Sequence, residues 1–163
     1  TRLRSALKSC VNDGRPDNLQ IIRERFEWDQ RLTFIEGDLE KTEFHVQADL
    51  VFLWGVYYHI KDSMDEFFIL GKLANNAPVL VMEYLEGQDT ISSYGYENPS
   101  TSISQFGIRP TSSTLIEGLK RTWGNVYLPV EQMNWHDPCS PEEPRRIIIA
   151  SKDRLDNPNL ILQ

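Results

Sequence analysis

Hydrophobic positions are densest between Ala48 and Ile60, where the chain reads Ala-Asp-Leu-Val-Phe-Leu-Trp-Gly-Val-Tyr-Tyr-His-Ile. An apolar block without polar alternation predicts a strand buried on both faces, the kind found in a parallel sheet covered by helices. The block breaks at Gly55, so Tyr57, Tyr58 and His59 are expected just beyond the strand's carboxyl end. In open α/β sheets that edge is where ligands bind.

Other segments alternate between strand and helix signals. Leu7 to Asn12 predicts a short strand that delivers Asp13, Gly14 and Arg15 to its end. Pro16 then suits the first turn of a helix, where its missing N–H would be unpaired anyway, and Leu19, Ile22 and Phe26 recur at helical spacing up to Glu27. Arg31 to Glu36 predicts a second strand, stopped at Gly37, Asp38 and Leu39. Ser63 with Glu66 forms a capping box for a helix carrying Met64, Phe67, Phe68 and Leu73, ended by Asn75 or Asn76. Pro78 to Tyr84 predicts another buried strand, with the proline tolerated at its first position and Glu83 carried to the strand-end edge.

Leu85 to Pro110 shows no sustained periodicity, and a connection of that length is a candidate lid over a binding site. Thr111 can cap a helix whose Leu115, Leu119 and Trp123 form one stripe, with Gly124 as its stop. Asn125 to Val130 and Arg145 to Ser151 predict an antiparallel pair closing the sheet. The pattern as a whole predicts an α/β fold with a mostly parallel sheet, helices on both faces and a C-terminal antiparallel strand, in a single domain over residues 1–163.

Composition narrows the function. The 163 residues carry a formal charge of -7 and a pI near 5.0, so no general basic field exists to hold a nucleic-acid backbone. A small-molecule partner fits better. Cys10 and Cys139 lie far apart without a second ligand pair around either, which disfavours a zinc site or disulfide framework and suits a reducing, cytoplasmic setting. No run approaches the roughly 18 apolar residues a membrane span needs, and no oligomeric state can be read.

Three acids, Asp13, Asp38 and Glu83, are placed at the ends of successive predicted strands. One carboxylate can accept two hydrogen bonds, which suits a ribose diol or an exocyclic amine, so the set suggests a nucleoside ligand. The plainer reading is that loops bordering strands are acidic in an acidic chain.

Asp13-Gly14-Arg15-Pro16-Asp17-Asn18-Leu19, Phe34-Ile35-Glu36-Gly37-Asp38-Leu39-Glu40 and Asp49-Leu50-Val51-Phe52-Leu53-Trp54-Gly55-Val56-Tyr57-Tyr58-His59 resemble, in order and spacing, the second, third and fourth motifs of the class I S-adenosylmethionine-dependent methyltransferases. The resemblance covers nearly the whole chain and implies S-adenosylmethionine as cofactor. It implies that Asp13 holds the ribose hydroxyls, that Gly14 and Arg15 shape the adenosine pocket, and that Asp38 accepts from the adenine amino group beside Leu39. Trp54 and Gly55 would form the floor beneath the methionine part.

On the same resemblance His59 is the candidate base, histidine being the side chain that titrates nearest neutral pH, with Tyr57, Tyr58 and Glu83 as acceptor contacts. Packing is the plainer role for the two tyrosines, and a solvated loop position for His59.

The family's glycine-rich first motif has no counterpart, since no glycine precedes Asp13. Its first strand would lie centrally, between the strands that match Leu7 to Asn12 and Asp49 to Trp54. The chain is therefore expected to be a fragment lacking that strand. The alternatives are a non-catalytic interaction domain on the same scaffold, or a strand supplied by another chain. Weaker signals are Arg109 before a helix start, a His136, Asp137 and Cys139 cluster that could hold a metal but reads better as surface, and Arg145 and Arg146, expected to end a strand in solvent.

Overall fold

The computed structural model describes residues 9–39, 41, 43, 47–60, 67–87, 93–96, 106–132, 136–137 and 140–163. Two compact units make up the chain, Thr1–Glu43 and Phe44–Gln163.

In the first unit, β1 (Ser9–Asp13) and β2 (Leu32–Glu36) pair in parallel, with Asp13 opposite Glu36. Helix α1 (Pro16–Phe26) makes the crossover that a parallel pair requires. Pro16 opens it, Asp17 lies in its first turn and Arg23 and Arg25 in its last, charges that complement the helix dipole. Leu19 is its fully buried residue.

The second unit is built on one sheet in the order β10-β7-β9-β4-β3. Strand β3 (Val51–Leu53) runs parallel to β4 (Val79–Leu85), and the crossover contains α2 (Phe68–Asn76). The expected apolar strand is thus shorter than its apolar run. Among the described residues of this unit it is the last strand in the order, beside β4, and Phe52 is 62% exposed, so burial on both faces does not hold there. The capping box at Ser63 and Glu66 lies outside the described residues.

Strand β9 (Ser140–Ser151) is antiparallel to both β4 and β7 (Asn125–Pro129), as expected of the closing pair, and β10 (Leu160–Leu162) adds an antiparallel edge on β7. Leu80 opposite Ala150 and Met82 opposite Ile148 share one face of the sheet, and all four are buried. Helix α3 (Ser112–Trp123) packs against α2, β7 and β9, and its stripe Leu115, Leu119 and Trp123 is buried. Its cap is the one the sequence predicts: Thr111 Oγ1 accepts from the Thr114 N–H at 3.2 Å, and Gly124 closes the helix at φ +91°.

Two short strands, β5 (Ser93–Tyr96) and β6 (Phe106–Arg109), pair antiparallel within the stretch expected to be irregular, and β8 (His136–Asp137) pairs with the start of β9. The remainder of the candidate lid, residues 88–92 and 97–105, lies outside the described residues, as do the side chains of the His136, Asp137 and Cys139 cluster. Among the described residues no helix is long and apolar enough to cross a membrane.

Candidate functional site

Asp13 is the last residue of β1. Its Oδ1 accepts the Arg15 backbone N–H at 2.8 Å, and its Oδ2 accepts Asn18 Nδ2 from the first turn of α1 at 3.0 Å. The carboxylate is thereby fixed at the strand end. A carboxylate offers about four lone-pair sites, so capacity for two further donors is left. Arg15 Nε stands 3.9 Å from the same Oδ1, and the Gly37 N–H closes onto the Asp13 carbonyl at 3.2 Å. Asp38 follows β2 and pairs with Lys41 Nζ at 2.8 Å, its side chain 22% exposed. Gly14 and Leu39 are half-buried beside these two acids in sequence.

In the second unit the chain leaves β3 through Trp54 and turns at Gly55, which holds φ +69°. Trp54 stacks on Phe52, ring centroids 5.3 Å apart and planes within 2°. Tyr57, Tyr58 and His59 form one turn of 3-10 helix, a feature the sequence reading does not contain. Both tyrosines are buried. His59 is half-buried, its ring centroid 4.4 Å from that of Tyr58 and tilted by 56°.

Glu83 is buried, two residues short of the end of β4 rather than at it. Its Oε2 accepts the Gly55 N–H at 2.9 Å, and its Oε1 receives Arg145 Nη1 at 2.6 Å. A buried charge left without its partner costs about 3–5 kcal/mol, so this ion pair is part of the local fold. Arg145 Nη1 also donates to the Tyr58 hydroxyl at 3.0 Å, and its Cζ lies 5.4 Å from the Tyr58 ring centroid. From β6, Arg109 donates through Nη1 to the Tyr58 carbonyl at 3.2 Å, with Cζ 5.8 Å from the same ring.

On the opposite face of β4, Arg146 Nε donates to Glu86 Oε2 at 3.0 Å, and the Ser112 hydroxyl donates to the other Glu86 oxygen. The Tyr84 hydroxyl lies 2.7 Å from Ser112 Oγ. Burial pushes the Tyr84 phenol above its ordinary range, with the Ser112 hydrogen bond opposing.

Arg145 and Arg146 therefore do not end a strand in solvent. They are 22% and 32% exposed and each meets a carboxylate. The sequence contains the signal for this. Glu83 sits inside Val-Leu-Val-Met-Glu-Tyr-Leu, and a carboxylate within such a strand needs a cation, which the two arginines just before the Ile-Ile-Ile-Ala run of β9 can supply.

No protein-family model matches the chain, and no curated protein sequence does. Solved structures do. The N-terminal domain of EvdMO1 with S-adenosylhomocysteine bound aligns with a TM-score of 0.66 at 16% identity, covering 87% of this chain and 63% of that one. The Burkholderia thailandensis 1,6-didemethyltoxoflavin-N1-methyltransferase, with 1,6-didemethyltoxoflavin and S-adenosylhomocysteine bound, gives 0.62 at 15% identity, covering 90% and 62%. The N-methyltransferase NodS from Bradyrhizobium japonicum WM9 in complex with S-adenosylhomocysteine gives 0.57 at 14%, covering 88% and 66%. At these identities the likeness defines the fold: the chain has the Rossmann-like α/β fold of the class I methyltransferases. It spans less than two thirds of the length of each of these three solved chains.

Proposed function

We propose that this chain carries the cofactor and acceptor sites of an S-adenosylmethionine-dependent methyltransferase acting on a small molecule. The observation that supports it most is that the three solved chains above, which share its fold, hold S-adenosylhomocysteine. The residues fit that ligand. Asp13 is fixed at a strand end with acceptor capacity left, which suits a pair of ribose hydroxyls. Asp38 and the backbone of Leu39 suit the adenine edge, with Gly14 and Arg15 lining the adenosine. Trp54 and Gly55 would lie under the methionine part, at a turn that Glu83 holds from below.

When bound, the cofactor supplies a methyl group on a sulfonium, already activated towards in-line displacement. The chain's own task is positioning and exclusion of water. His59, half-buried against Tyr58, can take a proton from an acceptor that arrives protonated, and the Tyr57–His59 turn forms the acceptor side.

Isothermal titration with S-adenosylhomocysteine tests the reading, on this chain and on the full reading frame that encodes it. Binding is expected, and Asp38→Ala should weaken it roughly 10- to 100-fold, the worth of one charged hydrogen bond. Absence of binding by both would overturn the reading in favour of a non-catalytic interaction domain.

A further inference from the structure

The Glu83 carboxylate joins two elements through its two oxygens. One is bound to the middle of β9 through Arg145, the other to the turn after β3 through the Gly55 N–H. The same Arg145 nitrogen reaches a third element, the 3-10 turn, through the Tyr58 hydroxyl, and the guanidinium stands beside the Tyr58 ring. Arg145 is thus the one side chain seen to touch both Glu83 and Tyr58 among the described residues.

We propose that Arg145 is a positioning residue. By holding Glu83 and Tyr58 together it fixes the Gly55 turn against the Tyr57–His59 turn, and so sets the spacing between the cofactor floor and the acceptor side. The proposal rests on the methyltransferase reading above for what the two turns do, but not for the latch itself.

The physical reasoning is that neither turn is regular structure. The Gly55 turn follows a strand of three residues and contains a positive-φ glycine. The 3-10 turn also spans three residues and has no side-chain cap. Short irregular segments of this kind open locally unless a specific contact restrains them. A buried, charge-assisted bond is stronger than a neutral one, and here it acts on the two turns through one guanidinium. Arg109 acts on the same tyrosine through its backbone carbonyl, so it restrains the 3-10 turn but, by the contacts seen, not Glu83. Among the described residues, Arg145 is the side chain seen to couple the two. Lysine at 145 can keep the charge on Glu83 but lacks the planar fork of donors, so it should restore the Glu83 contact more fully than the Tyr58 contact.

Amide hydrogen exchange at Gly55 reads the latch without any cofactor. Arg145→Met should speed that exchange about tenfold, the scale set by loss of one hydrogen bond, while the amides of Leu80 and Ile148 in the core ladder stay at wild-type rates. Arg145→Lys should fall between. Should Arg145→Met not fold, the pair Glu83→Gln with Arg145→Met removes both charges and keeps an amide oxygen for the Gly55 N–H, and it should still leave Tyr58 unlatched.

In parallel, S-adenosylhomocysteine affinity should weaken about tenfold in the Met variant, with partial rescue by Lys. Unchanged Gly55 exchange overturns the latch. Faster Gly55 exchange with wild-type affinity overturns the positioning role, leaving a structural ion pair. Faster exchange in a protein whose wild type binds no S-adenosylhomocysteine, either as this chain or as the full reading frame, overturns the methyltransferase reading, and with it the assigned role of the turns.

Discussion

An alanine at position 55 would have room for its methyl group: the nearest neighbour of a Cβ there is the Tyr58 hydroxyl oxygen at 3.8 Å. The obstacle is the backbone, held at φ +69°, where an L-residue costs about 1–2 kcal/mol. Gly55→Ala is therefore expected to lower stability by about 1 kcal/mol, and Gly55→Asn by less, because asparagine tolerates the left-handed region better. Urea unfolding midpoints at a constant m value check this, and an alanine variant as stable as wild type would refute it. The sequence marks Gly55 as the break after an apolar run, and the structure adds a conformational reason for a glycine there. Asp13 was legible as the end of a short strand, and its partners, Arg15 and Asn18, follow it within five residues. The Glu83 partnership was not read because Arg145 lies 62 positions away and meets it only through the antiparallel pairing of β4 with β9.

Helices α2 and α3 meet at a glycine for a steric reason. A Cβ on Gly118 would lie 1.9 Å from Phe67 Cε1 and 2.2 Å from two further ring atoms, so the ring rests on the bare backbone of α3. Gly118→Ala gains up to about 1 kcal/mol in helix propensity but forces the ring out of place, an overpacking that costs about 1–3 kcal/mol. The net expectation is a loss of about 1 kcal/mol by denaturant unfolding, reversed in sign when the same change is made in a Phe67→Ala background. A loss of the same size in both backgrounds would show that the contact is not responsible. Elements with local signals were the legible ones. In α3 the Thr111 cap, the Leu115, Leu119 and Trp123 stripe and the Gly124 stop all lie within the segment itself. Strands β5 and β6, four residues each with a glycine inside, carry no period of their own and exist through pairing across a long connection. The 3-10 turn at Tyr57–His59 was hidden for a related reason: its apolar residues continue the strand's run, and only the Gly55 φ separates the two.

At the scale of the whole molecule, the burial of apolar side chains is uneven. Among the described residues of the first unit Leu19 is the one buried apolar side chain, while Ile21, Phe26 and Trp28 are 48%, 43% and 71% exposed. The second unit holds the rest of the buried core, from Leu53 to Ala150. A two-stranded sheet is marginal in water without further packing, and regions with few buried apolar contacts open at lower free energy than the core. Ladder amides of β1 and β2 are therefore expected to exchange roughly 100-fold faster than those of β4 and β9, a separation of about 3 kcal/mol within the span of local opening energies. One common opening energy for all four strands would contradict this. The same measurement bears on function, because Asp13 and Asp38, the acids assigned to ribose and adenine, both belong to the weakly packed unit. A ligand that binds only the ordered form stabilises it by about 2.7 kcal/mol at 100 times its dissociation constant. Saturating S-adenosylhomocysteine should accordingly slow exchange in β1 and β2 towards the rates of the core, and Asp38→Ala should remove most of that protection. Protection that rises equally in the Asp38→Ala variant would mean that the ligand is held elsewhere on the chain.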